Sequence, residues 1–129
     1  MNTSDLITLI RTKIEQTGFK CFSPDLPQNN DMCCAVYLGT GTNTRAINKK
    51  IVYSEIPLYV IIRGSSNDKE TRQMVDSIYN QLDMIHNQQL NNTQVILISC
   101  LTPNYSYRDE NQRIHYSITC NCKIEWSEE

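Results

Sequence analysis

The sequence predicts an α/β fold of the α+β type: a mixed, mainly antiparallel sheet of about four strands with two helices packed on one face. Two segments repeat apolar residues at helical spacing, and several others are either apolar and β-branched or strictly alternating. Glycine, proline and asparagine separate these segments. Because the apolar stripe of each helix and the apolar face of the sheet must bury one another, both helices are expected on the same side.

The length of 129 residues suits a single domain, which we expect to span residues 1–129. A formal charge of -2 provides no positive field that would hold phosphate backbones, so net charge does not predict a nucleic-acid partner. The N-terminus lacks the basic start and apolar core of a signal peptide, and no apolar stretch approaches the roughly 18 residues of a membrane span. We therefore expect a soluble protein that is made in the cytosol and has no membrane partner.

The first helix is expected over residues 5–17, with Ser4 as its N-cap and Gly18 as its left-handed stop. Its apolar stripe comprises Leu6, Ile7, Ile10 and Ile14. A loop rich in proline and asparagine follows. Residues 32–38 are apolar and predict a short strand that ends at Gly39.

Residues 39–53 form a polar run that is too long for a tight turn, so they predict either a mobile loop or an extended hairpin. The glycines in this run do not complete a phosphate-binding fingerprint and indicate a flexible turn. The run also carries a small basic cluster, which is either solvated or a contact for an acidic partner or DNA. The cluster comprises Arg45, Lys49 and Lys50. Residues 56–63 are almost entirely apolar and predict the central strand of the sheet.

The second helix is expected to begin at Asn67, with Glu70 as its capping-box partner, and to end near Asn87. Its apolar stripe comprises Thr71, Met74, Val75, Ile78, Tyr79, Leu82 and Ile85. Residues 94–102 predict another strand. The last segment alternates strictly and predicts a half-buried strand. The buried face of this strand is expected to comprise Tyr116, Ile118, Cys120, Cys122, Ile124 and Trp126.

The six cysteines are expected to remain thiols in a reducing compartment and to act as small apolar residues. Cys33 and Cys34 are adjacent in a predicted strand and must point to opposite faces, so we expect at least one of them to be partly exposed. The Cys-x-Cys spacing of the last strand is not the knuckle spacing of structural zinc sites. The sequence predicts neither a metal nor a cofactor.

Catalysis near neutral pH usually depends on histidine, and the chain contains only His86 and His115. We expect His86 at the end of the second helix and His115 at the start of the last strand, both on the surface. A nucleophile paired with a base, a carboxylate pair and a ligand set for a metal are all missing from the sequence pattern. The sequence therefore predicts no catalytic residues and a protein that is not an enzyme.

The polar connection between the last two predicted strands is our first choice for a contact surface. Tyrosine and arginine together are the residue types that anchor protein interfaces, although an ordinary solvated surface is the alternative. The candidate residues in this connection are Tyr105, Tyr107, Arg108, Asp109, Glu110 and Arg113.

A set of motifs in the second half of the chain follows the first helix in a characteristic order. The set comprises the apolar strand at 56–64, the helix with Ile78-Tyr79-Asn80-Gln81-Leu82, the segment Thr102-Pro103-Asn104-Tyr105, the segment Asp109-Glu110-Asn111-Gln112-Arg113, and the alternating last strand. Together they resemble the tail terminator or minor capsid proteins of long-tailed, siphovirus-like bacteriophages. The resemblance covers most of the chain from about residue 56 onward.

This resemblance implies a structural virion protein that forms a homohexameric ring on the end of the tail tube, stops tube polymerisation and provides the surface for head-tail joining. The implied partners are further copies of the chain, the major tail tube protein and a head-tail connector or stopper protein. DNA would pass through the ring only as cargo. The protein would reside in the tail or neck of the virion after assembly in the host cell cytoplasm.

Two alternative functions remain open from the sequence. The first is another neck component, such as a head-tail connector or a tail-completion protein. The second is a small cytosolic ligand-binding domain or enzyme that uses the glycine loop at residues 39–41 together with Arg63 for an anionic ligand.

Overall fold

The computed structural model describes residues 1–45 and 51–127 and confirms the predicted α+β class. The helices are α1 (Thr3–Glu15) and α2 (Asp68–Asp83). The strands are β1 (Lys20–Phe22), β2 (Cys33–Leu38), β3 (Thr42–Arg45), β4 (Ile51–Arg63), β5 (His86–Leu90), β6 (Thr93–Cys100), β7 (Asn104–Arg108) and β8 (Ile114–Ser127). Within these residues the sheet has 8 strands, more than the sequence predicts, because short polar edge strands lack an apolar pattern.

The strands β4 and β8 form a long antiparallel ribbon at the centre of the sheet, as predicted for residues 56–63. Their pairing runs from Ile51 opposite Ser127 to Arg63 opposite His115. The sheet order is β1-β2-β4-β8-β6-β5, with β3 added to β4 and β7 added to β8. Among the described strands, all pairings are antiparallel except that of β1 with β2. Each central strand therefore carries two shorter partners along its outer edge.

The two helices pack on one face of this sheet, as predicted, and share one core with it. The stripes of α1 and α2 meet the even-numbered residues of the ribbon, such as Leu58, Val60 and Ile118. Each fully buried side chain of this size stabilises the fold by about 1.5–3 kcal/mol relative to an exposed one. The alternation of β8 predicted its buried face, in which Cys120, Cys122, Ile124 and Trp126 are buried while Tyr116 is partly buried.

The ends of the helices differ from prediction at two places. Asn2 caps α1, since its Oδ1 accepts a hydrogen bond from the Asp5 amide at 3.1 Å, so Ser4 lies inside the first turn. The predicted cap of α2 is confirmed, because Asn67 Oδ1 accepts from the Glu70 amide at 2.9 Å. However, α2 ends at Asp83, and the following residues form the edge strand β5. His86 is thus the exposed first residue of a strand and not the end of a helix.

Cys33 and Cys34 are both buried, at 1% and 0% exposure, which corrects the prediction that at least one is partly exposed. Cys34 faces the helices, whereas Cys33 faces the opposite side of the sheet. There the loop before β2 covers it, and the guanidinium of Arg63 lies 3.9 Å from its sulfur. The loop is held because Arg63 donates hydrogen bonds to the carbonyls of Pro27 and Asn30. This long-range cover has no local sequence signal.

Within the described part of the chain, neither helix is long and apolar enough to cross a membrane.

Candidate functional site

The polar run at residues 39–53 contains an extended hairpin, one of its two predicted forms. Strand β3 pairs with β4 from Thr42 opposite Glu55 to Arg45 opposite Val52, and all four residues of β3 are exposed. Gly41 leads into β3 against the backbone of β4, where an added Cβ would lie 2.2 Å from the carbonyl oxygen of Glu55. Glycine is therefore needed here because the backbone that leads into β3 passes close to the backbone of β4, and not because the turn is flexible.

A buried polar chain attaches this hairpin to the core. The indole Nε1 of Trp126 donates to Ser54 Oγ at 2.7 Å, and Ser54 donates to Asn43 Oδ1 at 2.5 Å. Trp126 and Ser54 are only 1% and 3% exposed. Arg45 lies at the exposed end of β3, whereas Lys49 and Lys50 lie outside the described residues. We define the hairpin surface as Thr42, Asn43, Thr44 and Arg45.

The second candidate segment is an edge strand and not the irregular connection that the sequence suggests. Strand β7 pairs antiparallel with β8, and all of its residues are exposed. Its polar residues gave no strand signal, and tertiary pairing with β8 determines its conformation.

A bulge in β7 sends its two tyrosines to opposite faces of the sheet. Tyr105 lies opposite Tyr116 and contacts it edge-on, with ring centroids 5.9 Å apart. After the bulge, Tyr107 lies opposite His115 and stacks on it, with centroids 4.2 Å apart. Residues two apart normally share a face, so the bulge is what separates the tyrosines. Each tyrosine is still 54% exposed and offers a rigid aromatic contact.

The turn between β7 and β8 is organised around the carboxylate of Asp109. Its Oδ2 accepts hydrogen bonds from His115 Nε2 at 2.8 Å and from Arg113 Nε at 2.9 Å. Its Oδ1 accepts from the backbone amides of Asn111 and Arg113. The hydrogen bond from His115, followed by those from Arg113 and Asn111, holds the pKa of Asp109 well below its usual range.

The histidine and arginine of this cluster are also held within the protein. His115 is 7% exposed, which corrects the prediction of a surface histidine. The predicted position of His115 at the start of the last strand is correct, but Tyr107 and Asp109 cover its imidazole ring. Arg113 Nη1 additionally contacts Asp31 Oδ1 at 3.2 Å. Burial by itself lowers the pKa of Arg113, but the hydrogen bonds and charges of Asp31 and Asp109 together raise it above its usual value. Asp109 and Arg113 thus stabilise the turn by pairing with groups inside the protein.

The remaining candidates of this segment are available to a neighbour. Arg108 is exposed, and its guanidinium donates to the Gln112 carbonyl at 2.9 Å, which fixes the side chain over the turn. Glu110 is also exposed. An open groove of about 450 Å³ runs beside these residues. We define the β7 surface as Tyr105, Tyr107, Arg108 and Glu110.

The hairpin surface and the β7 surface lie at opposite ends of the central ribbon. On the hairpin surface, Arg45 pairs with Val52 near the start of β4. On the β7 surface, Tyr107 pairs with His115 of β8. His115 in turn pairs with Arg63 at the end of β4. The stretch of β4 from Val52 to Arg63 corresponds to about 35 Å at a rise of about 3.3 Å per residue. The structure therefore divides the predicted contact residues into two separate sets.

The structure does not assemble the anion site that the ligand-binding alternative requires. Arg63 is 6% exposed, and its guanidinium is directed to backbone carbonyls of the covering loop. Arg63 pairs with Cys33 at the start of β2. Gly39 instead follows the end of β2, at the other end of this strand, and its amide donates a hydrogen bond to the Pro57 carbonyl at 2.9 Å. Across residues 1–45 and 51–127, no group of three or more His, Cys, Asp or Glu side chains is arranged to hold a metal ion.

Comparisons with known proteins agree with the sequence resemblance. The family described as bacteriophage tail terminator protein matches residues 6–126. No curated protein sequence matches the chain. A solved chain from the virion of the native gene transfer agent (GTA) particle is similar in fold, with a TM-score of 0.65 and 7% sequence identity over 95% of this chain and 96% of that chain. Since the family match spans nearly the whole sequence, the chain belongs to the bacteriophage tail terminator protein family and is a structural component of the phage tail.

Proposed function

We propose that this protein forms a homohexameric ring on the end of the tail tube, stops polymerisation of the tube and provides the surface for head-tail joining. The observation that supports this most is the division of its exposed contact residues into two surfaces at opposite ends of the β4–β8 ribbon. A ring closes by head-to-tail contacts, which require two different patches on each subunit. The hairpin surface and the β7 surface meet that requirement.

The β7 surface has the chemistry of an interface anchor. Tyr105 and Tyr107 are exposed and already held in place by Tyr116 and His115, so they lose little side-chain freedom on binding. Arg108 and Glu110 place one charge of each sign beside them. Among the described strands β7 pairs with β8 alone, so its outer edge also offers backbone hydrogen-bonding groups to a neighbour.

The proposed partners are further copies of the chain within the ring, the major tail tube protein below the ring and a head-tail connector or stopper protein above it. DNA passes through the ring as cargo. This function requires rigid surfaces and no reaction, so the protein acts without a catalytic residue or cofactor. Tube growth stops because the ring binds the tube end on one side and offers a surface unlike that of the tube on the other.

A charge reversal tests the role of the β7 surface. The double variant Arg108→Glu with Glu110→Arg is expected to abolish tail completion, because both side chains are exposed and lie against a neighbouring subunit in the proposed ring. Circular dichroism and the melting temperature are expected to stay near wild type. A matched control is Lys69→Glu with Asp76→Lys, which reverses two exposed charges on α2 and is expected to leave tail completion intact.

Electron microscopy of particles separates this function from its closest alternative. Without the protein, tail tubes are expected to reach uncontrolled lengths and to remain separate from heads. Tails of normal length joined to heads in such particles, or infectious particles carrying the Arg108 and Glu110 reversal, would overturn the proposal. Tails of normal length that merely fail to join heads would instead favour a head-tail connector or tail-completion protein.

A further inference from the structure

Two cysteines on neighbouring strands lie in contact beneath the helices. Cys100 at the end of β6 pairs with Cys120 of β8, and the Cys120 thiol donates to the Cys100 sulfur at 3.0 Å. The Leu101 amide donates to the Thr119 carbonyl at 2.9 Å, which makes the cysteines a non-hydrogen-bonded cross-strand pair. The α carbons of such a pair lie about 4.5 Å apart. Disulfides span about 4.4–6.8 Å between α carbons, so this pair can be bridged without separating the strands.

The six cysteines differ in their access to reagents. Cys100 is partly exposed at the end of its strand, beside Leu101, which is 69% exposed. Cys120 is 3% exposed and lies directly behind Cys100. A second cross-strand pair, Cys21 opposite Cys34, is 1% and 0% exposed. Small oxidants therefore reach Cys100 in the folded protein but not the second pair.

We propose that Cys100 and Cys120 are a disulfide-forming site, oxidised by a small disulfide of the glutathione class when the protein enters an oxidising medium. Cys100 loses its proton to solvent, and its thiolate attacks one sulfur of the small disulfide, which forms a mixed disulfide and releases one small thiolate. Cys120 then gives up its proton and attacks the Cys100 sulfur, which releases the second small thiolate. The two cysteines lose two electrons, and the small disulfide is reduced to two thiols.

The environment of the pair determines the order of these steps. The hydrogen bond with Cys100, followed by burial, raises the pKa of Cys120 well above its ordinary value. Thiol exchange requires the thiolate, and access favours the partly exposed sulfur. Cys100 is thus the attacking residue, and Cys120 is the resolving residue.

The disulfide would close a loop of the chain that contains the whole β7 surface. The segment between Cys100 and Cys120 includes β7, the turn around Asp109 and the first half of β8. In the reduced protein this segment is held by hydrogen bonds and aromatic contacts. Oxidation would constrain it covalently in a particle that has left a reducing cell. The proposed stabilisation of the virion rests on the proposed function. Formation of the disulfide itself can be tested on the purified protein alone.

The test compares reduced protein before and after incubation with oxidised glutathione. Intact mass is expected to fall by two hydrogen atoms, and non-reducing peptide mapping is expected to join the peptides of Cys100 and Cys120. The melting temperature is expected to rise by about 10 °C and to return when a reductant is added, since the cross-link restricts the unfolded chain.

Three single variants serve as controls. Cys120→Ala is expected to retain glutathione on Cys100 as a mixed disulfide and to gain no stability. Cys100→Ala is expected to react neither with glutathione nor internally, and its partly exposed position makes it the safer variant for folding. Cys122→Ala removes a buried neighbouring thiol and is expected to keep the Cys100–Cys120 link.

The absence of a cross-link in the native wild-type protein would overturn the proposal. A link from Cys100 to Cys122, or oxidation of Cys21 and Cys34 in the folded state, would also overturn it. A failure of ring formation would leave all of these measurements unchanged, so the two proposals fail separately.

Discussion

At the scale of single residues, two small polar networks attach exposed strands to the core. Ser54 joins the indole of Trp126 to Asn43 on β3. Asp109 joins His115 to Arg113 and closes the turn after β7. The Ser54 network lies beside the hairpin surface, and the Asp109 network lies beside the β7 surface. They replace the apolar packing that the polar strands β3 and β7 cannot supply.

The Asp109 network predicts a specific dependence of stability on pH. Its hydrogen bonds lower the pKa of Asp109 in the folded state below the value of about 3.9 in the unfolded chain. Their contribution is therefore fully present above about pH 4 and is lost as the pH falls through the folded-state pKa. Urea unfolding of Asp109→Asn is expected to show lower stability at neutral pH and a smaller further loss in acid than wild type.

The matched control for this experiment is Glu110→Gln, which neutralises the exposed neighbouring carboxylate. Its acid sensitivity is expected to follow that of wild type. Equal losses of stability between neutral and acid pH in Asp109→Asn and wild type would contradict the assigned role of Asp109.

The Ser54 network predicts a cost for removing one hydroxyl group. In Ser54→Ala the buried indole N–H of Trp126 loses its acceptor, which is expected to lower the free energy of unfolding by about 1–3 kcal/mol. Asn43→Ala keeps the Trp126–Ser54 bond and removes an exposed side chain, so its cost is expected to be smaller. Trp126 is the single tryptophan, and its fluorescence reports both transitions. Equal costs would show that the indole bond is not the important contact.

At the scale of elements, the two helices and the long strands follow from their sequence patterns, whereas the edge strands do not. The stripe of α2 and the alternation of β8 repeat over many residues, so each pattern has one reasonable conformation. In contrast, β3, β5 and β7 are short and mostly exposed. Their pairing with β4, β6 and β8 determines their structure, and a polar loop would have the same composition.

The close approach at Gly41 predicts that β3 can be loosened without damage to the core. In Gly41→Ala the added Cβ would lie 2.2 Å from the Glu55 carbonyl oxygen, so the chain entering β3 must move away from β4. Hydrogen exchange of residues 42–45 is expected to become faster, while the melting temperature changes little because Gly41 is exposed.

Gly39→Ala provides the comparison for this variant. The nearest atom to its added Cβ is Tyr59 Cε2 at 2.8 Å, a ring atom of a partly exposed side chain that can shift. Its hydrogen exchange in β3 is expected to stay near wild type. Unchanged exchange in Gly41→Ala would show that β3 does not depend on the glycine.

At the scale of the whole molecule, the β4–β8 ribbon connects the hairpin surface to the β7 surface. The ribbon is paired along its full length and buried on one face by both helices. In the proposed ring, such a ribbon would hold the two surfaces of each subunit at a fixed separation. That property suits a closed ring better than an open, adjustable assembly.

A mixing experiment tests whether the two surfaces meet in such a ring. One variant carries Tyr105→Ala with Tyr107→Ala, and the other carries Thr44→Glu with Arg45→Glu. Under conditions in which the wild-type ring forms, each variant alone is expected to be monomeric. An equimolar mixture is expected to form dimers only, because one intact contact remains between the two variants and the ring cannot close.

Native mass spectrometry distinguishes the possible products of the mixture. Full rings in the mixture, or rings of either variant alone, would contradict a head-to-tail contact between the hairpin surface and the β7 surface. The α2 control with Lys69→Glu and Asp76→Lys is expected to form the wild-type ring, because both positions lie on α2 and belong to neither of the two surfaces.

The sequence by itself determined the fold class, both helices, the central strand, the buried face of β8 and the resemblance to tail terminators. These features depend on spacing between near neighbours in the chain, and such spacing is visible without a structure. Only the tertiary structure decided that Cys33 and His115 are buried, that a bulge separates Tyr105 from Tyr107, and that Cys100 meets Cys120. Each of these features depends on which distant segments pair and in which register. Contacts between distant segments produce no periodic pattern in the sequence, so sequence analysis does not reveal them.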